Sequence, residues 1–177
     1  MKNSIVSTLR NQLSGTWKSA ATEPVGNLGF RTREFVFTPE RWQIEVVFYR
    51  DQEMTAPLFS FVGEGAYTLA ENSTILPKAT NAEFYFDKKS LTLLTNDAAT
   101  ISRFKFDACN LAKGVRKNIS AGGCSNFTSV AACGQEYDLV KIEGNVLRLG
   151  ARRADGNMCS ADKRPENLGQ PLVKQSP

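Results

Sequence analysis

The chain contains no histidine. That removes imidazole-based acids, bases, triads and metal sites together. Catalysis would then fall to carboxylates, lysines, tyrosines or cysteines. Glu34, Glu45, Glu64 and Glu83 alternate with apolar residues, and two such carboxylates could share acid and base roles in a histidine-independent lyase or isomerase. A glutamate opposite an apolar face is the ordinary solvent side of a strand. No catalytic residue is assigned, and the chain reads as a non-enzyme.

The four cysteines are Cys109, Cys124, Cys133 and Cys159, with no C-x-x-C pair among them. A four-cysteine zinc site brings its ligands in close pairs, so no metal and no cofactor is expected. Two disulfides are the expectation, and three pairings are open. Disulfides favour an oxidising compartment. The first fifteen residues do not form a signal peptide, because Ser7, Thr8, Arg10, Asn11 and Gln12 interrupt any apolar core. We therefore expect a secreted or periplasmic protein in mature form, with a cytoplasmic one as the alternative. No apolar run reaches the roughly 18–20 residues of a membrane helix. The net charge of +4 comes from 22 basic and 18 acidic residues. It is too evenly spread for nucleic acid, and Lys113, Arg116, Lys117, Arg152 and Arg153 read as solvated loop charges.

Binding chemistry is better represented. Trp17, Phe35, Phe37, Trp42, Phe59, Phe61, Tyr67, Phe84 and Phe86 could all face one apolar interior. Arg31 and Arg33 lie near its mouth, where either could pair with a carboxylate head group.

The elements that must position these residues follow from periodicity. Ile5, Val6, Leu9 and Leu13 predict an amphipathic helix over 3–13, ended by Ser14 and Gly15. A helix this short must pack on something, and closing one end of a barrel is the natural role. Beyond Gly15 the period becomes two. Phe35 and Phe37 share a face, and Trp42, Ile44, Val46 and Phe48 alternate with polar or outward residues, which predicts a hairpin turning at Thr38–Glu40. A strand from Leu58 to Leu69 carries Gly63 and Gly65 on one face, a mark of a bend or of close approach. Asp87, Lys88 and Lys89 read as the turn of a tight hairpin, and Asn96 and Asp97 as the cap of a short internal helix. A long loop over 109–133 needs its cysteines to pin it. Strands over 136–142 and 146–151 follow, then an extended tail over 160–177. Asn72, Asn118 and Asn126 head glycosylation sequons that matter only in a secreted eukaryotic protein. The whole predicts one mainly β domain over 1–177. It is an antiparallel β-barrel or sandwich of about seven or eight strands over 15–151. Barrels of that size are either filled or hold one small ligand.

Gly15-Thr16-Trp17 resembles the G-x-W opening of lipocalins, where the tryptophan closes the barrel floor. A longer set of motifs is more specific. It comprises Gly15 to Ser19, Arg31 to Phe37, Trp42, Phe48 to Asp51, Pro57 to Phe59, Ala79 to Phe84, Cys133 to Leu139, Leu147 to Gly150, Arg164-Pro165 and Pro171-Leu172. In that order they resemble the APCDD domain of the adenomatosis polyposis coli down-regulated proteins. Those are secreted or membrane-tethered Wnt antagonists. The family pattern also carries a cysteine near Thr22 and another after Asp51, both absent here, as if one bridge had been lost as a unit. The resemblance implies a lipocalin-like barrel with an apolar cavity for a lipid or acyl chain. It also implies a possible protein partner, engaged by a secreted interaction module through the 109–133 loop.

Overall fold

The computed structural model describes residues 2–176, with side chains from Val6 onward. Ile5, expected on the apolar helix face, lies outside those side chains. The elements in order are α1 (Lys2–Leu13), β1 (Gly15–Ser19), β2 (Glu23–Pro24), β3 (Phe30–Phe37), β4 (Arg41–Tyr49), β5 (Pro57–Asn72), β6 (Thr80–Tyr85) and β7 (Lys88–Leu93). Then come α2 (Ala98–Arg103), β8 (Arg116–Asn118), β9 (Gln135–Glu143), β10 (Val146–Leu149) and β11 (Leu172–Lys174).

Eight antiparallel strands close a ring in the order β3-β4-β5-β6-β9-β10-β11-β1. Closure leaves no sheet edge within the ring. Of the barrel and the sandwich that periodicity left open, the fold is the barrel, as the family resemblance implied, with two short helices among the described residues. Alternation along β3 and β4 sends Phe35, Phe37 and Trp42 inward, each under 5% exposed.

Two local expectations fail. The first is the hairpin at Asp87. β6 and β7 do not fold back on each other; both run antiparallel along β5, as one interrupted strand. Phe84 pairs Tyr67, and Lys88 pairs Glu64. Three residues on this strand thus face two on β5, which is a β-bulge. The true turn precedes β6, where Ser73 N–H donates to Ala79 O (2.8 Å). The second is the tail. Its β11 inserts between β1 and β10, so the barrel needs a strand beyond the 15–151 span.

Helix α1 plugs one end. Val6 and Leu9 pack against the core, Leu13 is fully buried, and Trp17 Nε1 donates to Leu13 O (2.7 Å). A second cluster continues the inner face of β5 past the barrel rim. There Phe59, Leu91 and Leu93 are covered by Phe106, Ile119 and Cys124 from the segment after α2. Asp97 caps α2 by accepting from Thr100 N–H (3.1 Å).

Candidate binding cavity

Between the plugged floor and the second cluster lies a cavity of about 990 Å³. Exposed Asn126, Asp155 and Asn157 stand on its rim, so it opens to solvent. Seven of the eleven residues expected to bind a ligand line it: Arg31, Arg33, Phe35, Trp42, Phe61, Phe84 and Phe86. Trp17, Phe37 and Tyr67 lie deeper, in the packed floor. Phe59 lies in the second cluster, stacked on Phe48 with centroids 4.5 Å apart.

The walls differ in chemistry. One is apolar: Trp42, Ile44, Val46 and Phe48 form the inward row of β4, facing Phe61 and Phe86. Phe127 leans in from the stretch between Cys124 and Cys133 and stacks on Phe61 (5.0 Å). The glycines of β5 make this wall possible. A Cβ on Gly63 would lie 2.4 Å from the Phe86 ring, and one on Gly65 would lie 1.8 Å from Tyr85 O. The bend and the close approach expected there are thus one feature, the bulge opposite.

The other wall is charged. Glu23 on β2 is buried and receives Arg33 Nε (2.9 Å), Arg31 Nε (2.9 Å) and Ser19 Oγ (2.8 Å). Burial pushes its carboxyl up. Arg33's charge and the donors from Arg33, Arg31 and Ser19 outweigh that and hold it below the ordinary range. Arg33 also donates to Gln170 O (3.0 Å), so its guanidinium is committed to the wall. Arg31 is 31% exposed and is the freer of the pair. Opposite, Arg152 pairs with Glu136 (2.5 Å). Asp138 faces inward across from Ala82, and its Oδ1 accepts from Leu139 N–H (2.7 Å) and Gly150 N–H (2.8 Å).

Lys89, Glu23, Glu136, Asp138 and Phe127 escape the sequence reading. Lys89 is hidden by the misread hairpin, and Glu23 sits in a strand of two residues, too short for any period. Asp138 does carry a signal, as a lone acid beside Leu139 and Val140.

The bridges are Cys109–Cys124 and Cys133–Cys159. The first closes the segment that carries β8. The second ties Cys133, just before β9, to the rim loop, and both of its cysteines line the cavity. Two disulfides suggest an extracellular or oxidising environment. Among the described residues, no group of histidine, cysteine or acidic side chains is arranged to hold a metal, and no helix is long and apolar enough to cross a membrane.

A closed antiparallel barrel, plugged at one end and entered through a polar rim at the other, belongs to the class of binding or interaction barrels. The family model "Adenomatosis polyposis coli down-regulated 1" matches residues 1–152. The chain belongs to that family, which is not a known enzyme family. No individual curated protein matches it.

Proposed function

We propose that the barrel binds one apolar or amphipathic small molecule, a lipid or acyl chain, in its cavity. The observation that supports this is a contrast in burial. Floor side chains such as Trp17 and Phe37 are at most 2% exposed. Ile44, Phe48, Phe61 and Phe127 face the cavity and are only half-buried. They present apolar surface to space the chain itself does not fill, and covering that surface is favourable by roughly 25 cal/mol per Å². Small-molecule sites are typically clefts of about 300–1,000 Å³ lined by aromatics with a few polar groups. The two bridges support a secreted or periplasmic setting.

Native mass spectrometry before and after delipidation, with titration of a fluorescent fatty acid, tests this. One bound molecule per chain is expected, with uptake weakened by Ile44→Arg. No bound species and no probe uptake would overturn the reading.

A further inference from the structure

Lys89 stands apart from the other cations of the cavity. The bulge at Phe86 and Asp87 reverses the side-chain parity of the strand. Ala82 and Phe84 face inward before it, and Lys89 and Leu91 face inward after it, opposite Gly63 and Phe61. Re-aiming a side chain is what a bulge does. Gly63 leaves no side chain across from Lys89, and the Phe86 ring fills that space. Lys89 Nζ sits 4.5 Å from the ring centroid, and the residue is 5% exposed.

Its partners are all neutral. Nζ donates to Cys133 O (2.7 Å) and to Thr128 O (3.1 Å). The remaining contact, Thr128 Oγ1 at 3.5 Å, is too long for a full hydrogen bond. Among the described residues, no carboxylate lies within ion-pair distance of it. Arg31 and Arg33 share Glu23, and Arg152 holds Glu136. Arg148 also lines the cavity without a carboxylate partner among the described residues, but it is half-buried and bonded to Gly169 O. A buried ammonium with only neutral partners keeps an uncompensated charge. Burial accordingly lowers its pKa, with Glu136's charge opposing.

We propose that the Lys89 ammonium is the receptor for a single anionic head group, so that the cavity selects long-chain carboxylates over neutral lipids of equal length. A carboxylate at Nζ would take the under-used N–H and supply the missing counter-charge, with the chain lying against Phe86, Trp42 and Phe61. This rests on the cavity reading above.

The test uses delipidated full-length protein. Oleate, oleyl alcohol and methyl oleate compete against one fluorescent probe, in the wild type and in Lys89→Gln, which keeps donors for the two carbonyls but no charge. A charge-assisted hydrogen bond predicts that the wild type binds oleate about tenfold or more tighter than the alcohol. Lys89→Gln should lose that preference and keep alcohol binding within about twofold. Equal wild-type binding of oleate and alcohol, or a preference that survives in folded Lys89→Gln, overturns the proposal and leaves the cavity reading intact. Failure of all three ligands to bind overturns both. The wild-type ratio decides by itself should the variant not fold.

Discussion

Asp138 is a carboxyl whose ionisation the fold opposes. It is 7% exposed, and burial pushes its pKa up to about 6, with the Leu139 N–H and Arg152's charge pulling back. An unfolded aspartate titrates near 3.9. Between about pH 4 and 6 the folded chain therefore binds more protons than the unfolded one. Its contribution to stability is present at low pH, falls as pH rises through that window, and is constant above it. Asp138→Asn removes this titration while its amide oxygen can still accept from Gly150 N–H. The expected outcome is a variant whose stability relative to wild type rises by on the order of 2 kcal/mol between pH 4 and 7. Thermal midpoints of both proteins across that range check it, and a gap that does not change with pH would mean an ordinary carboxyl. The burial also depends on Gly150, whose Cβ would stand 2.5 Å from Asp138 Oδ1.

At the scale of elements, the bulge between β6 and β7 joins barrel to cavity. Below it the strand pairs with β9 and closes the ring; above it the strand pairs with β8 and carries the disulfide-closed segment. Gly65 lies at the crossing, where a Cβ would meet Tyr85 O at 1.8 Å. The obstacle is backbone, so the strand must move. Gly65→Ala is expected to cost about 3 kcal/mol or more. Gly122→Ala has nothing within 4 Å of its new Cβ and should stay within about 0.5 kcal/mol of wild type. Urea midpoints of the two variants make the comparison. Much of this layout is legible in the sequence, because half-buried strands write their inner face in period two. Trp42, Ile44, Val46 and Phe48 show it plainly, and so do the glycines of β5. The pairing of β6 and β7 is not legible. Asp87, Lys88 and Lys89 have the composition of a turn, and a bulge differs from a turn only in what lies opposite. The cysteine pairing is illegible for the same reason, since it depends on which loops meet at the rim.

The whole molecule is held closed by its last strand. The family match ends at residue 152, yet a ring without β11 would leave β1 and β10 with bare edges. Leu172 is fully buried, paired with Ser19 on one side and Leu147 on the other. The tail also braces both ends of the barrel. Gln170 O receives Arg33 near the cavity (3.0 Å), while Lys174 Nζ donates to Gln12 O at the end of α1 (2.8 Å) and lies over the Trp17 ring. That ammonium sits where a helix C-terminus favours positive charge. Burying Leu172 alone stabilises by about 1.5–3 kcal/mol, and two strand pairings, to β1 and to β10, together with the Lys174 contact to the end of α1, depend on the same few residues. A chain ended after Gly169 should therefore lose cooperative unfolding, bind a hydrophobic dye, and self-associate through the exposed edges. A synthetic peptide of residues 170–177 should restore a sharp transition by adding the strand back, since main-chain pairing to a sheet edge can be supplied in trans. Restoration should fail with Leu172→Asp in the peptide, because that places a charge in the core. Calorimetry and sedimentation of the three mixtures check this. A truncated chain that stays monomeric and unfolds sharply on its own would show that the matched region closes by itself.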